Sequence, residues 1–262
     1  MSRVPELTTF RGVTSLKSLP LSSARESRLL SCQTSLRRPR KVEPLLSLVL
    51  WMFFQHKPFV YDRGMDGVSV FVLAGGKSSR MGSDKAFLEF RGSTLLERAL
   101  KLAKEVSSSV WVVGPRQKFA AFGKIVEDVY PAQGPLAGIH AGLRASGDDL
   151  NVVLAVDLPF VESGLIRFLL ARAQDTDALA IVPRFGDGWQ PLCAVYRKPF
   201  ADAAEKALQK SENRIDLLFA KTDVRAIAES ELLTAGFSPE MFRNLNTPEE
   251  LNEARRLDEI AS

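Results

Sequence analysis

The sequence predicts an α/β fold: a single doubly wound, mainly parallel sheet covered by helices, preceded by an extension that stands outside it. Three observations predict this. Two apolar, β-branched runs, VSVFVLA at 68–74 and NVVLAV at 151–156, read as strands buried on both faces. Around them, short strands alternate with segments of helical apolar spacing, the pattern of a parallel sheet with crossover helices. Residues 1–41, in contrast, are rich in Ser, Arg and Leu and sustain no period of 2 or 3.6.

Each element follows in order. After the strand at 68–74, residues 94–106 place Leu95, Leu96, Ala99, Leu100, Leu102, Ala103 and Val106 on a helical stripe. Residues 109–113 read as a second strand, 124–126 as a short third and 136–145 as a helix. The strand 151–156 ends at Asp157, and 162–174 is helical, with apolar residues at 165, 166, 168, 169 and 170. Strands follow at 178–182 and 191–196, helices at 198–209 and 213–220, and a strand at 224–227. Thr247-Pro248-Glu249-Glu250 opens the last helix, with Thr as N-cap, Pro at the first position and then acids favoured by the helix dipole. Sheets of this class bind ligands at the carboxyl ends of their strands. The places to search are therefore the ends near Ala74, Val113, Val126 and Val156.

Of 262 residues, 45% are hydrophobic and 25% charged, ordinary for a soluble globular protein with a sizeable core. The net charge of +4 is unevenly spread: residues 1–64 hold eleven Lys/Arg and four Asp/Glu, leaving −3 for 65–262. A mildly acidic folded part argues against nucleic acid as a partner. Only Cys32 and Cys193 are present, without a CxxC, so neither a disulfide framework nor zinc spacing exists. This fits a reducing, cytoplasmic setting.

The chain divides at 64/65 into a basic extension, 1–64, and a folded domain, 65–262. Ten residues from Leu45 to Phe54, apolar except for Ser47, are too few to cross a bilayer as a helix, for which about 20 are needed. No integral membrane segment is expected. The extension could be a transit peptide, a peripheral anchor, or non-native sequence before a true start at Met65. The last is favoured, because every interpretable signal begins just after Met65, and most of 1–64 is expected to be disordered.

The segment LAGGKSSRMGSDK, 73–85, follows the first buried strand. Gly75 and Gly76 lack Cβ atoms, so the backbone can turn sharply and bring N–H groups to phosphate oxygens. Arg80 and Lys85 add positive charge, and Gly82 permits a second unusual conformation. The spacing is neither GxxxxGK[ST] nor GxGxxG. The combination reads as a triphosphate-binding loop.

Asp157, at a buried strand end before Leu158-Pro159, is placed to hold Mg²⁺, a hard cation that often bridges to phosphates; alone it could equally cap a turn. Asp128 could accept hydrogen bonds from a base or ribose, or start a turn. GPLAGI at 134–139 puts small residues where a helix begins at the ligand face. His140 reads as a surface or packing residue rather than a base.

Together, LAGGKSSRMGSDKAFL at 73–88, VED at 126–128, GPLAGI, VDLP at 156–159, QPL at 190–192 and NLNTPEEL at 244–251 resemble the molybdenum cofactor guanylyltransferase (MobA) family. The resemblance covers most of 67–257. It implies a Rossmann-like nucleotidyltransferase fold and transfer of GMP from GTP to molybdopterin-type cofactor, releasing pyrophosphate, with Mg²⁺. By matching motif, Leu73, Ala74, Gly75 and Gly76 would contact the nucleotide, Lys85 its phosphates, Asp128 the nucleotide and Asp157 the metal. Arg80, Lys85 and Asp157 would be catalytic. Asn244 and Asn246 match the pair on the acceptor side. Expected partners are GTP, molybdopterin and cofactor-handling proteins.

One departure is Val113-Gly114, where some family members carry a nucleotide-contacting Asn. CMP transfer to the same acceptor is the nearest rival, although Ala74-Gly75-Gly76 differs from the Ala-Ala-Gly typical of that sister group. Transfer to another phosphate, or a non-catalytic nucleotide-binding module, are further alternatives.

Overall fold

In the computed structural model the described residues are 67–75, 84–245, 250–254 and 256. The extension 1–64 lies outside them. So do Gly76, Arg80, Gly82, Asn246 and the Thr247 cap.

The elements are strands β1 (Val68–Leu73), β2 (Glu89–Phe90), β3 (Ser93–Thr94), β4 (Ser109–Val113), β5 (Lys124–Val126), β6 (Leu150–Ala155), β7 (Ala180–Phe185), β8 (Gly188–Trp189), β9 (Cys193–Arg197) and β10 (Val224–Ala228). The helices are α1 (Leu95–Val106), α2 (Arg116–Phe119), α3 (Pro135–Ala145), α4 (Ser163–Gln174), α5 (Phe200–Gln209), α6 (Ile215–Phe219) and α7 (Glu229–Thr234). Among the described residues, the main sheet runs β10-β7-β9-β6-β1-β4-β5, with β8 on β7, and β2 and β3 form a separate hairpin.

The architecture is the expected one. The pairs β6/β1, β1/β4, β4/β5 and β7/β10 are parallel, and β9 alone among the path strands runs antiparallel to both neighbours. The link from β7 to β9 is too short for the crossover that a parallel partner requires, so the chain must double back.

Strand alternation sends β1 side chains to two cores. Val68, Val70 and Val72 join α1 and α4 on one face, while Phe71 and Leu73 join α3 and α5 on the other. All six β1 residues are buried, as the continuous apolar run requires. Helix α1 begins with a capping box: the Thr94 hydroxyl accepts from the Glu97 N–H, and the Glu97 carboxylate accepts from the Thr94 N–H.

Two helical glycines let α3 lie close to β1. A Cβ on Gly142 would meet the Phe71 ring at 2.9 Å, and one on Gly138 would meet Leu73 at 3.3 Å. A third cluster, of Phe90, Leu95, Leu245, Leu251 and Ala254, packs the C-terminal residues against the β2–β3 hairpin.

Candidate active site

Parallel register sets one edge of the sheet in a row. Leu73 lies opposite both Val113 and Ala155, and Val113 opposite Val126. The segments that leave these strands, starting at Ala74, Gly114, Glu127 and Val156, therefore emerge side by side. The four strand ends singled out from sequence form one continuous rim.

At the head of the candidate phosphate loop, Ala74 and Gly75 bend across the end of β4. Both donate their N–H groups to the Val113 carbonyl, at 3.0 and 3.1 Å. The Gly75 N–H, expected to face a ligand, thus has a protein partner. Gly76 and the residues up to 83 lie outside the described residues. The two backbones run close together here, since a Cβ on Gly75 would lie 3.4 Å from the Gly114 Cα, in van der Waals contact. Gly114 has its own constraint: a side chain would strike the Phe119 ring at 2.8 Å. Phe119 thus fills the space beside the Val113-Gly114 step, where this sequence departs from the family's Asn.

The chain resumes at Asp84, which caps the short 3₁₀ turn Lys85–Phe87 by accepting from the Ala86 N–H at 3.3 Å. The same carboxylate pairs with the Lys118 ammonium at 2.6 Å. These contacts aim Lys85 at the rim, where its Nζ stands 3.5 Å from the Asp157 carboxylate. Both side chains are only partly exposed, at 24% and 21%. So the fold brings together the loop cation and the strand-end carboxylate, 72 positions apart in sequence. An ion pair open to solvent contributes little stability, typically ~0–1 kcal/mol, so its placement at a ligand-binding edge is the more informative fact.

Asp128, two residues beyond β5, is exposed by area. Enough protein surrounds it that desolvation raises its carboxyl pKa above the ordinary value. Next along the rim, Gly134 (φ 74°) turns the chain into α3 with Pro135 at the first helical position. Gly138, within GPLAGI, is used in packing against Leu73 and Val113.

On the far side of Asp157, the Leu245 N–H donates to the Asp157 carbonyl at 3.0 Å. That bond carries Asn244, which is exposed, to the same rim. QPL also reaches it: the Leu192 carbonyl accepts from the Ala155 N–H at 2.8 Å, immediately before Val156 and Asp157. Lys85, Asp157, Leu73–Gly75, Asp128 and Asn244 therefore share one edge. Arg80, Gly76 and Asn246 fall outside the described residues.

His140 is buried, 2% exposed, with its ring edge-on to Tyr130 at 5.4 Å and its Nε2 accepting from Arg144 at 3.4 Å. It packs rather than lining the rim. Burial holds its pKa below the usual value. Asp84 and Lys118, which orient Lys85, are not among the residues singled out from sequence. The position of Asp84 directly before Lys85, where a cap residue belongs, is the signal that could have found it. Among the described residues no group of three His, Cys, Asp or Glu gathers as a metal cage. None of their helices is long and apolar enough to cross a membrane.

A family model described as MobA-like NTP transferase domain matches residues 70–224. A probable molybdenum cofactor guanylyltransferase of Clostridium perfringens is 33% identical over 196 residues, covering 73% of this chain and 98% of the relative. The molybdenum cofactor guanylyltransferase of Desulfosudis oleivorans is 32% identical over 193 residues, 72% of this chain and 95% of the relative. Among solved structures, molybdopterin-guanine dinucleotide biosynthesis protein A from Archaeoglobus fulgidus superposes with a TM-score of 0.65 at 27% identity, covering 73% of this chain and 99% of that one.

Proposed function

The chain belongs to the MobA-like NTP transferase family, and on that premise we propose that it transfers GMP from GTP to the phosphate of a molybdopterin-type cofactor, releasing pyrophosphate. The observation that carries the reading is the pairing of Lys85 with Asp157 at the rim, with Asn244 held beside them through the Leu245–Asp157 bond. The relatives named as molybdenum cofactor guanylyltransferases align over nearly their whole length.

The chemistry is an attack by one anionic phosphate on the α-phosphate of another anion, so repulsion must be neutralised. Lys85 supplies a cation at the point where strand β1's loop meets β6, and Arg80 is assigned a second one. N–H groups from Gly76 onward would complete the cradle for the β- and γ-phosphates. Leu73, Ala74 and Gly75 border the nucleoside, with Asp128 as an acceptor for its base or ribose. Asn244 and Asn246 would hold the acceptor. Positioning and electrostatics carry most of the rate in transfers of this kind, and no enzyme nucleophile is required.

Asp157 fits Mg²⁺ as a single accessible carboxylate at a strand end, because Mg²⁺ commonly takes one or two protein carboxylates and fills its shell with water and substrate phosphates. Bound there, the ion would neutralise charge on the α-phosphoryl group and the departing pyrophosphate. The Lys85 ammonium already stands 3.5 Å from this carboxylate. We assign the reaction to the cytoplasm, where Cys193, a buried free thiol, would stay reduced, and expect the product to pass to cofactor-handling proteins.

The test is to offer molybdopterin cofactor with GTP, CTP or ATP in the presence of Mg²⁺ and measure pyrophosphate. Release with GTP is expected. Preference for CTP would overturn the guanine assignment, and release with none of the three would overturn the transferase reading.

A further inference from the structure

The β7–β8 hairpin stands beside the candidate site, and none of the residues assigned above to nucleotide, metal or acceptor lies on it. Its position follows from register. Tyr196 of β9 pairs with Asn151 of β6 on one side and with Ala180 of β7 on the other. Both neighbours run antiparallel to β9, so β6 and β7 point the same way, and Ala180 is level with Asn151. Four residues on, Arg184 is level with Ala155, two residues before Asp157. Two strand spacings separate them, roughly 10 Å.

The hairpin is tied to the elements around it. On one face, Phe185 packs against Phe242 at 5.1 Å, just before the segment that carries Asn244. On the other face, Trp189 meets Phe219 of α6 at 5.1 Å, edge-on. At the tip, the Gly186 N–H donates to Glu229 at 3.0 Å.

Arg184 lies over the Trp189 ring, with its guanidinium carbon 5.1 Å from the ring centroid. Its Nε is buried without a hydrogen-bond partner among the described residues. Its carboxylate partner, Asp187 at 3.2 Å, is wholly exposed and only three residues away. Such a pair is held weakly and exchanges readily for a better ligand. The side chain remains 39% exposed. A guanidinium backed by an indole presents a flat, cationic face, which suits stacking and bidentate hydrogen bonding to a planar, electron-rich heterocycle.

Resting on the function proposed above, we propose that Arg184, laid flat by Trp189, binds the heterocyclic end of the acceptor and helps to select it. The acceptor's phosphate is then at Lys85 and Asp157, and its ring system reaches about two strand spacings along the rim. This is a binding role remote from the reacting atoms, so it acts on acceptor affinity and leaves the nucleotide untouched.

The experiment is steady-state pyrophosphate release by the full chain with GTP and molybdopterin, comparing wild type with Arg184→Ala and Arg184→Lys. Arg184→Ala is expected to raise the acceptor KM about tenfold, with the GTP KM and the kcat at saturating acceptor within about twofold. Arg184→Lys keeps the charge but cannot lie flat, so most of the defect should persist. An unchanged acceptor KM, or an equal rise in the GTP KM, would overturn the assignment. Circular dichroism and a thermal midpoint establish folding, and Arg184→Gln replaces the alanine variant if that variant unfolds. An inactive wild type overturns the function itself, whereas an active wild type with an indifferent Arg184→Ala sinks only this inference.

Discussion

Lys85, in the turn after the candidate phosphate loop, and Asp157, beyond the end of β6, meet at 3.5 Å on the rim. The carboxylate after NVVLAV and the lysine closing the glycine-rich segment can both be read from residue type and place along the chain. Their 3.5 Å approach is a tertiary fact, as are the contacts of the neighbouring Asp84, which caps the turn starting at Lys85 and pairs with Lys118 of α2. Removing either site residue should spare the fold, since both are partly solvent-exposed. Lys85→Ala and Asp157→Asn are each expected to lower kcat for pyrophosphate release on the order of 10²–10³-fold, the usual range for loss of a charge-stabilising group. Full Mg²⁺-dependent activity in Asp157→Asn would remove that residue from the metal site. His140 gives a separate prediction about stability. Burial depresses its pKa in the folded chain, while the unfolded chain titrates near the ordinary value of about 6.5. The neighbouring charges act in opposite directions, Glu205 raising and Arg144 lowering it, with Tyr130 against the ring. Below about pH 6.5 the unfolded state takes up a proton that the folded state resists, so stability falls on acidification and is level above. The thermal midpoint of wild type should therefore drop more between pH 7.5 and 5.5 than that of His140→Gln. Parallel slopes would show that His140 contributes nothing to the acid limb.

At the scale of elements, legibility follows length and pattern. Strands β4 and β5 coincide with their expected spans because the apolar runs there are bounded by Ser107-Ser108, Gly114-Pro115, Gly123 and Glu127-Asp128. The β2–β3 hairpin has two residues per strand, too few for any period to register. Strand β7 begins at Ala180 and extends beyond the expected end at 182, through Pro183 and Arg184 to Phe185. Pro183 has no N–H to donate, but its carbonyl accepts from the Gln190 N–H at 2.9 Å and so keeps one tie beside β8. Helix α3 was legible as a helix, but the reason for its two glycines was not, since that depends on which strand lies beneath. Gly142→Ala should test it: the added methyl meets Phe71 at 2.9 Å and cannot move without disturbing a buried ring. A destabilisation of ~1–3 kcal/mol is expected, read as a lower urea midpoint at constant slope. Gly147→Ala, where nothing lies within 4 Å, is the matched control and should change little. Equal effects at both positions would mean that α3 does not depend on close approach to β1.

At the scale of the molecule, the division of the chain turns on how much of the fold the residues from Val68 onward build. Strand β1, the first described strand, is flanked by β6 and β4 and buried along its whole length, so the centre of the sheet is complete from Val68 onward. Both helical layers and the rim bearing Lys85, Asp157 and Asn244 arise from residues after that point. The Clostridium perfringens relative is covered over 98% of its length by an alignment that takes up only 73% of this chain. A chain starting at Met65 is therefore expected to fold with a thermal midpoint within a few degrees of the full chain, a shift corresponding to about 1 kcal/mol or less. It should also release pyrophosphate from GTP and molybdopterin at an unchanged kcat and KM. Because the extension carries the excess positive charge and the remainder is net negative, the shortened chain should bind anionic vesicles or RNA less than the full chain does. A truncated protein that melts early or aggregates would show that residues before Met65 cover part of the core. One that folds but has lost affinity for GTP would place part of the nucleotide site in the extension.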